Sequence, residues 1–525
     1  MSLTVVIGGT RSGKSAHAEA LAAATGLPVR YVATADGGDV WMGERIAVHV
    51  ARRPAGWRTV ETGDSLCAVL ADGAGECILL DGLGPWIATR LHHAGAFKDP
   101  GAPAGAGPAL LAEVDAAARA LAGAGAAIVV AEQAGGGVLP ADAGSRAWLD
   151  LLGAATQRLA RDADQVVLVV AGRALTIAGT PPPADPALRR HGDRDVRPGD
   201  ADHAVNVVAG GPPPWLRTAL QRALDDDASR YPSEDDAIAA LAARHGRDPG
   251  EIVPSNGAAE ALWLLGPALR PRLAAVVHPA FTEAEAGLRA HGTEVVRVAR
   301  EPAEDFALDP ARVPDAADLV IVGHPASPSG TLDPQTALLA LRRPGRTVVV
   351  DEAFMDLVPG EPGSLAGTAL SDVIVVRSLT KALGVPGLRV GYAIAPPALA
   401  ERLRAVRPPW SANALALAVL VAASAHPAEL AAIAERADEQ RRDLEARLSA
   451  VPGLRRVWPG AANFVLVETP DGAGLVAALR AQRIAVRPAA SFPGLDARHV
   501  RITARDPAAN ARVAAAVTAA VGVPA

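Results

Sequence analysis

Gly8-Gly9-Thr10-Arg11-Ser12-Gly13-Lys14-Ser15 follows directly on the apolar run Leu3-Thr-Val-Val-Ile7 and leads directly into the alanine-rich stretch Ala16 to Ala24. A short apolar run, a glycine-rich turn and a run of strong helix formers read as strand, loop and helix. In such a loop the glycines let backbone N–H groups turn inward on phosphate oxygens. The lysine then meets the outer phosphates and the serine hydroxyl a magnesium ion. The helix opening at Lys14 adds its positive dipole end. Asp81 closes the run Ile78-Leu79-Leu80, where a second strand would deliver a carboxylate to the same metal as Ser15; a plain Asp81-Gly82 turn is the other reading.

At 525 residues the chain exceeds one hydrophobic core, and two to four domains are expected. Hydrophobic residues at 50% against 21% charged describe a folded chain rather than a disordered one. A net charge of −6 with no basic block argues against nucleic acid or an anionic membrane as the partner. Cys67 and Cys77 form neither a CxxC pair nor a cluster with histidines, so neither a disulfide framework nor a zinc site is expected. With a strand beginning at Leu3 and no long uninterrupted apolar run, the expectation is an unprocessed cytoplasmic protein without a membrane span.

Apolar runs at Val29 to Ala33, Cys77 to Leu80, Ala127 to Val130 and Gln165 to Val170 alternate with helical stretches, which predicts an α/β domain with a parallel sheet. Between Thr176 and Pro214 the sequence turns to Pro, Gly, Asp and Arg, the composition of a linker with some extended structure. Alternation then resumes at Ala274 to Val277, Glu294 to Val298, Leu319 to Val322, Thr347 to Val350, Val373 to Val376 and Arg389 to Ile394. A last unit, with a long helix over 428–450, reads as a smaller α+β domain. The expected division is 1–178, a linker and N-terminal arm over 179–214, a large α/β domain over 215–410 and a small domain over 411–525.

Ser378-Leu-Thr-Lys381 to Arg389-Val-Gly391 places a lysine three residues after a serine and eight before an arginine, beyond the strand Val373 to Val376. That set suits a phosphorylated aldehyde cofactor, pyridoxal 5'-phosphate. The lysine amine condenses with the aldehyde, while Ser378 and Arg389 hold the phosphate. Asp351, 30 residues upstream at the end of Thr347 to Val350, would meet the pyridinium nitrogen from a parallel neighbouring strand. Gly257 and Ala258 open a helix able to bind phosphate, and Phe281 can stack on the ring face; an ordinary helix start and a core aromatic are the alternatives.

The first 175 residues or so resemble the adenosylcobinamide kinase/adenosylcobinamide-phosphate guanylyltransferase family. The resemblance rests on the loop Gly8 to Ser15, Tyr31-Val-Ala-Thr34, Glu44-Arg-Ile46 with His49, Arg52, Arg53, Trp57 and Glu61, Leu80-Asp81-Gly-Leu with Trp86, Gly135-Gly-Gly137 with Pro140, and Gln157-Arg-Leu-Ala with Ala163-Asp164. It implies a P-loop domain that binds GTP or ATP and Mg, phosphorylates a corrinoid side arm and transfers GMP through His49, with Glu61 among the nucleotide-binding residues. Where the family has an Asn-Glu pair, this chain has Glu132-Gln133, which leaves a nucleotide-binding regulatory module as an alternative.

Residues 190 to 525 or so resemble fold-type I pyridoxal phosphate enzymes of the histidinol-phosphate aminotransferase/threonine-phosphate decarboxylase group, through Tyr231-Pro232, Asp351-Glu-Ala-Phe354, Ala462-Asn463-Phe464 and Arg501-Ile-Thr503. That resemblance implies cofactor contacts from Phe354 and Ser327, substrate contacts from Asn463, and a carboxylate grip by Arg501 with Arg487. It also implies a homodimer in which Tyr231 reaches the neighbouring subunit's cofactor. Ser327 stands where the group has an asparagine. Threonine phosphate decarboxylation yields aminopropanol phosphate, the side arm of cobinamide, so the fusion of the two halves points to a bifunctional enzyme of adenosylcobalamin assembly acting on a phosphorylated amino acid. An aminotransferase remains the alternative.

Overall fold

Strand β1 (Leu3–Gly8) lies inside a seven-stranded sheet, beside the central strand, with β2 (Val29–Ala33), β3 (Arg58–Glu61), β4 (Cys77–Asp81), β5 (Ala126–Glu132), β6 (Gln165–Val170) and β7 (Arg173–Gly179), in the order β3-β2-β4-β5-β1-β6-β7. The computed structural model describes residues 3–34, 53–54, 56–62, 65–71, 73–97, 102–135, 140–179 and 186–522. All pairings are parallel except β6 with β7. Near-continuous Val, Ile, Leu and Ala in the central strands is what burial on both faces demands. Accordingly one core gathers Val5, Leu80, Trp86 and Leu152, and another Val6, Ala18, Tyr31 and Leu79.

The chain divides into two compact units, Met1–Pro183 and Ala184–Ala525. The second carries β10 (Leu273–His278), β11 (Glu294–Ala299), β12 (Leu319–Gly323), β13 (Thr347–Asp351), β14 (Val373–Ser378), β15 (Val390–Ile394) and β9 (Ile252–Asn256) in the order β11-β10-β12-β13-β14-β15-β9. Strand β15 runs antiparallel to both its neighbours and the rest are parallel. Pro254 is accommodated in β9 because that strand is an edge. A five-stranded sheet, β16 (Arg456–Trp458), β17 (Phe464–Glu468), β19 (His499–Thr503), β18 (Ile484–Pro488) and β8 (Ala201–His203), completes the unit.

The stretch read as a linker differs from that reading in its physical role. Strand β7 extends to Gly179, and β8 pairs in parallel with β18, so residues from both ends of the second unit build its small sheet. Arg505 fastens the following segment by donating to the carbonyls of Asp202, Val205 and Val207. At the other end the helix Ala414–Ala425 packs into the large core with Val350, Tyr392 and Phe464 rather than into a separate small domain. The helix Pro427–Ser449 serves both cores, Leu430 and Ile433 in the large one, Leu444 and Leu448 in the small one. No single described helix is long and apolar enough to cross a membrane.

The helix Gly257–Leu269 lies so close to β15 that a Cβ at Gly391 would stand 2.4 Å from the Ala258 nitrogen and 2.5 Å from the Gly257 carbonyl carbon. Overpacking at such a backbone contact costs about 1–3 kcal/mol. Gly391→Ala should therefore lower the second unit's stability by about that amount in a urea titration, and displace the helix start that Gly257 and Ala258 form.

Candidate active sites

In the first unit, Gly8 ends β1 and Gly13 takes the left-handed conformation (φ 94°) that turns the chain into the helix Lys14–Ala24. Arg11 is also left-handed (φ 57°), and Gly9, Thr10 and Ser12 complete the loop. The hydroxyl of Ser12 is buried with no hydrogen-bond partner among the described residues. Lys14 is buried, and its Nζ lies 3.4 Å from the Gly9 carbonyl oxygen, folded back over the loop. An orphaned hydroxyl and a buried ammonium at a helix N-terminus fit a phosphate chain.

Ser15 donates its hydroxyl proton to Asp81 Oδ1 at 2.9 Å, so the two side chains expected at a magnesium ion do meet. Strand β5 lies between β1 and β4 in the sheet, which places Glu132 opposite Gly8 as well. Glu132 accepts the Gly84 N–H at 2.6 Å; burial pushes its carboxyl up, against the opposing pull of that hydrogen bond and of Lys14. The Tyr31 hydroxyl donates to Asp81 Oδ2, and burial, with Asp81 beside it, raises the hydroxyl above its usual range. Thr34 Oγ1 sits 3.0 Å from the Asp81 carbonyl and 2.6 Å from that of Gly82. Among the described residues no group of three or more His, Cys, Asp and Glu could hold a metal. A hydroxyl with one carboxylate fits magnesium, which keeps its other positions for water and phosphate oxygens. Glu61 is exposed at the end of β3, and His49 lies outside the described residues.

In the second unit the candidate residues gather at the carboxyl ends of the parallel strands, where open α/β sheets bind ligands. Asp351 ends β13 and pairs in register with Val376 of β14, whose chain continues through Ser378 to Lys381. Burial pushes the Asp351 carboxyl up and the Lys381 amine down to about 8; the two charges oppose these shifts in each other, while Arg389 and Arg501 depress the amine further. Lys381 Nζ stands 4.4 Å from the Phe354 ring centroid. Ser378 Oγ donates to the Val390 carbonyl at 3.2 Å. Because β15 pairs with β9, Arg389 stands over the start of the helix Gly257–Leu269. A Cβ at Gly257 (φ 75°) would be 2.7 Å from its Nη2. Helix N-terminus, guanidinium and serine hydroxyl converge on a cradle that fits a phosphate, with a buried amine and carboxylate nearby for a pyridine aldehyde. Phe281 follows β10, its ring 5.6 Å from that of His191.

Arg501 on β19 is buried, donating to Ser327 Oγ at 3.2 Å and the Ala204 carbonyl at 2.9 Å, while its Nε has no partner among the described residues. Its guanidinium lies 5.2 Å from the Phe464 ring, and burial lowers its pKa to about 9. This is a desolvated cation without a carboxylate in salt-bridge contact among the described residues, the condition for gripping an anion. Arg487 stands opposite it in register but is committed elsewhere, to Asp195 at 3.2 Å, the Arg190 carbonyl and Ser491 Oγ, both at 2.7 Å. Of the two arginines expected at the substrate, Arg487 is thus already paired with a carboxylate in this structure. Asn463 donates to the Asn206 carbonyl at 3.4 Å and leaves its own Oδ1 buried without a partner. Tyr231 is 78% exposed and stacks on Trp410 at 4.4 Å. Asn206, Ala204 and Asp195 escaped sequence reasoning because their segment carries a linker's composition. Tyr31 and Thr34 lie in the segment Tyr31-Val-Ala-Thr34, whose composition carries no sign of their contacts with Asp81.

Since only the neutral amine of Lys381 can add to an aldehyde, the rate of pyridoxal phosphate uptake by the apo protein should be half-maximal near pH 8. Below that it should fall about tenfold per pH unit, and above it level off; stopped-flow absorbance across pH 6.5 to 10 reads this.

Residues 4–177 match the family of cobinamide kinase/cobinamide phosphate guanyltransferase, and residues 202–517 match aminotransferase class I and II. A bifunctional adenosylcobalamin biosynthesis protein, CobP, of Pseudomonas aeruginosa is 40% identical over 34% of this chain and 98% of its own length. A histidinol-phosphate aminotransferase of Mycobacterium tuberculosis is 47% identical over 61% of this chain and 87% of its own length. A threonine-phosphate decarboxylase of Salmonella typhimurium is 34% identical over 60% of this chain and 90% of its own.

Proposed function

For a chain that belongs to the cobinamide kinase/cobinamide phosphate guanyltransferase family over residues 4–177 and to the class I and II aminotransferase family over residues 202–517, we propose a bifunctional enzyme of adenosylcobalamin assembly. The first unit phosphorylates adenosylcobinamide and transfers GMP to the product; the second decarboxylates L-threonine O-3-phosphate. The observation that carries this reading is the fusion itself, because aminopropanol phosphate is the arm that the first unit's family handles.

In the first unit the loop Gly8 to Gly13 and Lys14 hold the nucleotide's phosphates, and Ser15 with Asp81 holds the magnesium ion bound to them. His49 attacks the α-phosphorus of GTP, pyrophosphate leaves, and GMP passes from the imidazole to the corrinoid phosphate. Protein incubated with GTP labelled at the α-phosphate should retain label that acid releases, and His49→Asn should retain none.

In the second unit Lys381 holds the cofactor, Asp351 the proton of its ring nitrogen, Ser378, Arg389 and the helix start at Gly257 and Ala258 its phosphate, and Phe281 and Phe354 its ring faces. When bound, pyridoxal phosphate supplies an electron sink for the pair left at Cα. Arg501 orients the substrate carboxylate from its place between Ser327 and the Phe464 ring, Asn463 lies beside it, and Lys381 holds the proton delivered to Cα after carbon dioxide departs. The exposed Tyr231 supports a dimer in which it serves the neighbouring subunit's site.

Carbon dioxide release from L-threonine O-3-phosphate without 2-oxoglutarate tests this reading, and Arg501→Leu should cost about 2–5 kcal/mol in kcat/KM, as losing a desolvated ion pair does. The 47% identity to a histidinol-phosphate aminotransferase favours a second reading, transamination. Under it 2-oxoglutarate is consumed and no carbon dioxide forms.

A further inference from the structure

We propose that Tyr31 is the positioning residue for the magnesium ion of the first unit, acting through Asp81; the inference rests on Ser15 and Asp81 being the metal's protein ligands. Tyr31 belongs to β2, which pairs with β4 in parallel register, Tyr31 opposite Leu79 and Ala33 opposite Asp81. A residue two places back on the neighbouring strand thus projects on the same side of the sheet as the Asp81 carboxylate. The side chain is 2% exposed, and its hydroxyl donates to Asp81 Oδ2.

Two side-chain hydroxyls hold the Asp81 carboxylate from different sides. Ser15 donates to Oδ1 and Tyr31 to Oδ2, while Thr34 fixes only the backbone carbonyl. The two anchors differ in what a metal does to them. Once magnesium binds, the Ser15 oxygen turns its lone pair to the ion and its hydroxyl no longer restrains Asp81 in the same way. The Tyr31 hydroxyl bonds the other carboxylate oxygen and persists in both states. A carboxylate torsion is soft, so an anchor that persists on Oδ2 contributes to the orientation in which Oδ1 is presented to the ion. The ring that carries this hydroxyl is itself held: the Arg53 guanidinium carbon lies 3.6 Å from its centroid.

Outer partners that orient a ligand are worth about 10- to 100-fold in metal affinity. The test is fluorescence of N-methylanthraniloyl GTP on the full chain, titrated with magnesium chloride and compared with an EDTA baseline. Tyr31→Phe should raise the magnesium midpoint about 10- to 100-fold while leaving nucleotide affinity in EDTA unchanged. Asp81→Asn should abolish the magnesium response. An unchanged midpoint in Tyr31→Phe, with Asp81→Asn responding as expected, overturns the role of Tyr31 and leaves the metal ligands standing. A wild-type magnesium response in Asp81→Asn overturns the metal ligands themselves, and the role of Tyr31 with them. Loss of nucleotide binding in EDTA by Tyr31→Phe also overturns the proposal, because it would show that the hydroxyl supports the fold rather than the ion.

Discussion

Asp351 and Lys381 stand in a largely desolvated site at the ends of β13 and β14, and each charge opposes the shift that burial imposes on the other. A buried carboxylate and a buried ammonium are each costly alone, and each makes the other tolerable. Here the sheet brings the pair together: β13 and β14 are parallel neighbours, Asp351 ends the first, and the turn that follows the second carries Lys381. The amine pays for its burial with a pKa lowered to about 8, which leaves part of it neutral and nucleophilic near physiological pH. Arg501 extends the same logic. Its guanidinium is desolvated between Ser327 and aromatic rings and meets no carboxylate of its own, whereas Arg487 beside it is neutralised by Asp195.

The first unit solves a related problem with opposite sign. A phosphate chain would bring the negative charge, and the first unit offers it Lys14, a helix N-terminus and the Ser15–Asp81 pair. Strand β5 lies between β4, which ends in Asp81, and β1, which leads into the loop before Ser15, and its terminal Glu132 enters the same neighbourhood with its carboxyl pushed up by burial. A carboxylate at the end of the central strand is therefore present in this chain, one position from where the family pattern places it.

Much of this was legible in the sequence because parallel, doubly buried strands are continuous apolar runs. Leu3 to Ile7, Gln165 to Val170 and Val373 to Val376 announce themselves, and the phosphate loop and the lysine segment follow two of them directly. What escaped were elements whose residues answer to partners far away in sequence. Strand β9 contains Pro254, β8 has three residues and exists by pairing with β18, and β7 is a polar-flanked edge. The role of Asp195 is invisible without Arg487, which follows it by nearly three hundred positions. The strand expected from Arg389 begins one residue later because Arg389 takes a left-handed conformation to turn its guanidinium over Gly257.

The central claim is that the second unit breaks the bond from Cα to the carboxylate rather than the bond from Cα to hydrogen. Proton NMR of the products from L-threonine O-3-phosphate in heavy water distinguishes the two. The account predicts aminopropanol phosphate carrying a single deuterium at the carbon that bore the carboxylate. An oxoacid product, or recovered substrate whose Cα hydrogen has exchanged with solvent while the carboxylate remains, would contradict it.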